Sequence, residues 1–123
     1  NDYVFKIVPM VNVDGVIHGN SRAELVGLDP NRTWKNPRKL VSPAVYHILK
    51  EIQAYKCNTS LVLDLHSHSK KTGCFFYGNS FASSSNLSKL YPTLICQNDH
   101  RFTLKHCRFS GGYKTTLRHI LFK

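Results

Sequence analysis

The run Leu61-Val62-Leu63-Asp64-Leu65-His66-Ser67-His68-Ser69 limits what this chain can fold into more than any other. Its first half is short and apolar, the pattern of a buried strand. Its second half gathers histidines and serines beside an aspartate. Polar groups at the end of a buried strand cost free energy unless they are paired or put to use. Open α/β sheets bind ligands outside the carboxyl ends of their strands, and His66 and His68 fall at such an end. Asp64 stands two residues before His66, on the same face of a strand by the period of two. A neutral imidazole there, oriented by a nearby oxygen, makes a good zinc ligand. A satisfied core or rim histidine has the same local sequence, so these residues alone leave both readings open.

The segments around this run place it in a fold. Val4 to Met10 reads as a strand buried on both faces, with Pro9 near its end. Asn12-Val13-Asp14-Gly15 is a turn. From Val16 to Lys39 no period holds, and the stretch is rich in Gly, Asn, Asp and Pro. Loops of that length inside a compact domain are functional or disordered. Arg22, Asp29, Asn31, Arg32 and Trp34 favour function. An arginine next to an asparagine offers directed donors that suit a planar carboxylate, though Arg32 pairing with Asp29 is an equal alternative.

Ser42-Pro43 opens a helix, with a capping serine and a proline at the first helical position. Val45, Ile48, Leu49, Ile52 and Tyr55 follow as one apolar stripe. Strand, loop, helix and strand in that order form a βαβ unit with parallel neighbours. Cys74 to Tyr77 is a further β-type run. Ser83 to Asn86 offers cap chemistry for a helix over Leu87 to Leu94, which Pro92 interrupts. Phe102 to Phe109 and Thr115 to Phe122 read as strands. The fold class is α/β: a mixed, mainly parallel sheet flanked by helices.

The composition, 41% hydrophobic and 20% charged, is that of a globular chain and excludes a disordered one. The net charge of +10 reads equally as the solvated surface of an ordinary basic domain and as a field that draws acidic partners. No block of basic residues forms a nucleic-acid arm, and Phe75-Phe76-Tyr77 lacks interleaved cations, so a nucleic-acid partner is not expected. No apolar run is long enough to cross a bilayer; an anionic membrane surface would also suit the charge, but no membrane partner is expected. Cys57, Cys74, Cys96 and Cys107 show no C-x-x-C spacing and read as reduced, buried cysteines of a cytosolic protein. The chain opens without Met and both ends run into apolar segments, which reads as a piece of a larger domain.

Four stretches in order resemble the zinc metallocarboxypeptidases, and within them the cytosolic carboxypeptidase, or deglutamylase, branch. They are Phe5 to Arg22 with its Asn12-Val13-Asp14-Gly15, then Gly27 to Trp34 with Asp29-Pro30-Asn31-Arg32, then Asp64 to Lys71, then Phe76-Tyr77-Gly78. The match is clear over residues 4–81 and loose from Cys107 to Arg118. The resemblance implies that His66 is the third protein ligand of a catalytic zinc. It implies that Asn31 and Arg32 hold the substrate's C-terminal carboxylate and that Arg22 stabilises the oxyanion. His68 would line the pocket beside the metal. It further implies a cytoplasmic enzyme that removes C-terminal residues, chiefly glutamates, from acidic protein tails such as those of tubulin.

The departures are equally specific. The family's His-x-x-Glu, source of the other two zinc ligands, does not occur, because His100, His106 and His119 are not followed by glutamate three residues on. The family places that motif before residue 1 and the general-base glutamate after Lys123. Val13 stands where the family has proline. The chain therefore reads as a fragment, residues 1–123, of one catalytic domain, inactive and weak in zinc binding by itself. The competing reading is a non-catalytic relative that binds acidic tails.

Overall fold

The computed structural model describes residues 2–80 and 85–121. The chain divides into two compact units, residues 1–62 with 115–117, and residues 63–114 with 118–123.

The first unit is built on its most strongly patterned segment. Helix α2 (Pro43–Ala54) starts with Pro43 in its first turn and Ser42 at its N-cap position. The apolar stripe does what its period demands: Val45 and Leu49 are buried, with Trp34 and Leu117. Each such side chain taken from water contributes roughly 1.5–3 kcal/mol. Tyr55, the last of the stripe, stays 48% exposed and ends the helix. Ser42 makes no side-chain cap. Its hydroxyl instead donates to Glu24 Oε2 at 2.6 Å, and both residues are buried. A buried carboxylate needs a donor, so this bond ties the long loop to the helix start.

Helix α1 (Val13–Ile17) grows out of the Asn12–Gly15 turn, and Pro30–Arg32 form one turn of 3-10 helix. The rest of residues 18–39 is irregular, as the missing period indicates. The strand expected over Val4–Met10 does not form. Residues 3–9 are exposed and in no ladder, with Phe5 at 86% and Ile7 at 80%. An extended segment needs a neighbouring strand for its backbone groups, and this one has no ladder partner among the described residues. One side chain does hold it: Lys6 Nζ donates to Glu51 Oε2 at 2.5 Å and lies 3.7 Å from the Tyr55 ring centre. That bond raises the Lys6 pKa.

The strand expected over Leu61–His66 is likewise absent. Residues 59–68 have no regular structure, and Leu65 is 87% exposed. The mainly parallel sheet is therefore missing from the described residues. What survives of it is two parallel bridges in the second unit, Cys74 with Phe102 and Tyr77 with Arg108. Backbone bonds from Thr103 N to Cys74 O (2.9 Å) and from Arg108 N to Phe76 O (2.9 Å) accompany them. A 3-10 turn, Leu104–His106, breaks the strand expected over Phe102–Phe109.

Helix α3 (Ser85–Asn98) is longer than its sequence signal and contains Pro92, which is buried. Leu87, Leu90 and Leu94, at helical spacing along it, are 64%, 53% and 48% exposed. Ser83 and Ser84, part of the proposed cap, lie outside the described residues. Thr115–Phe122 is not a strand: Leu117–Leu121 form helix α4, and residue 122 lies outside the described residues. Leu117, Ile120 and Leu121 also fit helical spacing, and so short a run cannot separate the two periods. All four cysteines are free, but Cys57 and Cys74 are exposed and the other two half-buried, so the expected burial fails. No helix among the described residues is long and apolar enough to cross a membrane.

Candidate functional site

In the first unit the loop is shaped by side chains bonding to backbone. Asn12 Oδ1 accepts from Gly15 N at 3.0 Å, and its Nδ2 donates to Ala23 O at 3.0 Å and Arg22 O at 3.4 Å. One amide thus caps the start of α1 and pins the backbone at Arg22 and Ala23. Residue 15 has to be glycine: a Cβ would lie 2.2 Å from Asn12 Nδ2 and 2.6 Å from Ala23 O. Beyond Arg22 the chain turns through Gly27, whose φ of +76° suits glycine, and Glu24 N bonds Leu28 O at 2.8 Å.

Asp29 then gathers the loop's functional residues. Its Oδ1 accepts from Asn31 N at 2.8 Å, capping the 3-10 turn. Its Oδ2 lies 2.5 Å from Arg22 Nε and 3.8 Å from Arg32 Nη1. Arg32 Nη1 also donates to Asn31 O at 2.8 Å. So Arg22, Asn31 and Arg32 come together around one carboxylate. Asn31 Oδ1 is buried without a partner among the described residues. The sequence pointed to Asp29 only as a partner of Arg32. Its closer contact with Arg22, seven residues upstream, has no sequence signal beyond the turn chemistry of Gly27.

The two histidines belong to the second unit. His66 Nδ1 lies 3.1 Å from Asp64 Oδ1. Donation from Nδ1–H to the carboxylate puts the lone pair on Nε2, the orientation a metal-ligating imidazole uses. The ring is 58% exposed, so Nε2 is within reach of a ligand. His68 is engaged on both nitrogens: Lys70 N donates to Nδ1 at 3.1 Å, and Tyr77 OH stands 3.3 Å from Nε2. Phe75 and Tyr77 meet the His68 ring edge-on, at centroid distances of 5.7 and 6.0 Å.

Lys71 Nζ sits 4.8 Å and 5.1 Å from the Phe75 and Tyr77 ring centres and donates to His106 O at 2.8 Å. Tyr77 and Lys71 thus join His68, which the sequence did not foresee. The period of two that puts Phe75 and Tyr77 on one side of their run was the available signal.

The two histidines therefore differ in kind. His66 has a carboxylate behind it and an open nitrogen, whereas His68 is bound into an aromatic cluster. No group of three His, Cys, Asp or Glu able to hold a metal ion occurs among the described residues, so His66 does not stand in such a set there.

No protein-family model matches the chain. Individual proteins do. It is 35% identical to cytosolic carboxypeptidase 1 of Xenopus laevis, over 98% of this chain and 12% of that protein. It is 37% identical to cytosolic carboxypeptidase 6 of Caenorhabditis elegans, over 88% of this chain and 26% of the relative. With cytosolic carboxypeptidase 1 of Mus musculus it shares 46% identity over 81 residues, which is 63% of this chain and 7% of that protein. The chain thus spans 26% or less of the length of each of these relatives.

Proposed function

We infer that this chain, which belongs with the cytosolic carboxypeptidases, is part of the catalytic domain of a zinc-dependent carboxypeptidase that removes C-terminal glutamates from acidic protein tails such as tubulin's. The Asp64–His66 pair carries this reading, because it presents one oriented imidazole nitrogen in a chain whose relatives are carboxypeptidases. The unpaired apolar segments at residues 4–8 and 61–65 support the idea that the sheet is completed by polypeptide outside residues 1–123. Exposed apolar side chains on unladdered backbone are what a strand looks like without its neighbours.

The roles follow from the chemistry of each group. His66 would supply Nε2 to zinc, with Asp64 fixing its tautomer. Bound zinc would polarise the scissile carbonyl and acidify a water. Arg22 would direct the edge of its guanidinium not held by Asp29 at the oxyanion, where a preorganised charge stabilises more than in water. Asn31 and Arg32 would fix the terminal carboxylate and with it the bond that is cut. His68, with Tyr77, would line the pocket. The enzyme would work in the cytoplasm on protein tails, drawn by the +10 charge.

The test is release of glutamate from tubulin-tail peptides by the complete protein, and its loss by at least about a hundredfold in His66→Ala. Residues 1–123 alone should bind zinc weakly and hydrolyse nothing; sub-micromolar binding by calorimetry would overturn that part. Retained hydrolysis in His66→Ala would remove His66 from the metal. Binding of the tails without hydrolysis would point to a non-catalytic module.

A further inference from the structure

The second unit holds nine of the seventeen Lys and Arg and only two acids, Asp64 and Asp99. Both acids are engaged, Asp64 with His66 and Asp99 with Arg101. Among its cations, Lys71 is committed to His106 O and two rings. Arg118 is committed to Gly78 O at 2.9 Å and Gly111 O at 2.7 Å. Lys89 and Arg108 have no such partner among the described residues. These two line one cavity of about 500 Å³ together with Ser80, Ser110, Cys107 and Phe109.

The cavity's floor is fixed. Arg108 N donates to Phe76 O and Arg108 O accepts from Gly78 N, both at 2.9 Å, so its backbone is held on both sides. Phe109 packs so closely on Gly78 that a Cβ there would lie 2.9 Å from its ring. Cys107 Sγ accepts from Phe76 N at 3.2 Å. Lys89 reaches the cavity from α3. Two uncommitted cations and two hydroxyls with no acid among them describe a site for anions.

We propose that the Lys89–Arg108 cavity is an auxiliary site for the carboxylate side chains of an acidic peptide tail, separate from the groups assigned to bond cleavage. The choice of a peptide rests on the carboxypeptidase reading; the choice of an anion does not. The site holds a tail by residues away from its C-terminus, so it raises affinity for long acidic substrates and does nothing for short ones.

The experiment compares an extended polyglutamate tail with a blocked dipeptide ending in glutamate, on the complete protein and on Lys89→Glu/Arg108→Glu. The variant should raise KM for the tail about tenfold, two exposed charge pairs' worth, with kcat unchanged. Dipeptide kinetics should not move, and added salt should weaken the tail's advantage in the parent protein only. Equal effects on both substrates, or on neither, would overturn the proposal. Lys89→Gln/Arg108→Gln, checked for an unchanged Tm, gives the same answer without reversed charge. If the parent protein cleaves neither substrate, the catalytic reading has failed and fluorescence anisotropy decides this one. Tail binding lost in the variant supports it, and binding unchanged overturns it. A single-stranded oligonucleotide that binds more tightly than the tail through the same two residues would overturn the peptide assignment.

Discussion

Two regions of the molecule contrast in what holds them. Residues 12–34 contain little regular structure, yet Asn12, Asp29 and Glu24 bind that loop at several points through their own side chains. Residues 4–8 and 61–65 are apolar and patterned as strands, yet they have no ladder and expose Phe5 at 86% and Leu65 at 87%. Apparent disorder of sequence accompanies fixed structure in the first, and apparent regularity accompanies none in the second. The difference is where the partners lie. A loop built on Asx turns and buried polar pairs contains its own donors and acceptors. A strand contains half of each hydrogen bond and one side of each contact, and needs another segment for the rest.

The largest difference between the two regions lies in the cost of placing charge on the apolar segments. Ile7→Asp or Leu63→Asp in residues 1–123 should change the unfolding free energy by no more than about 0.5 kcal/mol, since both side chains already meet water. In the complete protein the same changes should cost about 3 kcal/mol or more, if a neighbouring strand and a core cover these positions. Urea denaturation of the two forms measures the difference. A small cost in both would mean that these segments never join a sheet.

The loop should behave in the opposite way, failing in the short chain as much as in the long one. Gly15→Ala forces a methyl group into Asn12 and Ala23 O, and should cost about 2–3 kcal/mol in residues 1–123 themselves. Asn12→Ala removes the bonds to Gly15, Ala23 and Arg22 and should cost about 2 kcal/mol. Amide exchange at Gly15 and Glu24 would accelerate in either variant, while residues 4–8 already exchange fast in the parent. Equal exchange in both regions of the parent would erase the contrast.

The same division governs what the sequence disclosed. Helix α2 was legible because its stripe, cap position and proline agree within a dozen residues, and Val45 and Leu49 are buried as the period requires. The Asp64–His66 contact was legible because a period of two holds for any extended backbone, paired or not. Strands at 4–10 and 61–66 were legible as strand-formers only, since pairing depends on segments far away in sequence. Helix α3 was legible from the helical spacing of Leu87, Leu90 and Leu94, but spacing does not say which face meets a neighbour, and all three are about half exposed or more. Asp29's hold on Arg22 depends on a turn conformation that no residue pattern states.

The smallest test concerns a second locally held turn, at the end of α3. Asp99 O accepts from Phe102 N at 3.1 Å, and its carboxylate takes the Arg101 backbone N at 2.9 Å and the guanidinium at 2.5 Å. This turn sets Phe102 opposite Cys74 in one of the two bridges. The Arg101 side chain, and after it the Arg101 backbone N–H, hold the Asp99 carboxyl below its ordinary 3.8, at about 2. A depressed acid contributes its stabilisation above the ordinary value and loses it as pH falls through the depressed one. Between about pH 4 and pH 2, therefore, the Phe102 amide should lose exchange protection, while residues 4–8 and 61–65, unprotected throughout, should not change. The Asp99 carboxyl carbon should titrate by NMR with a midpoint at about 2, and Arg101→Gln should move it back toward 3.8. A parent midpoint already near 3.8 would mean that Arg101 lies free in solution, and would place this turn with the segments that lack partners rather than with the loop that carries its own.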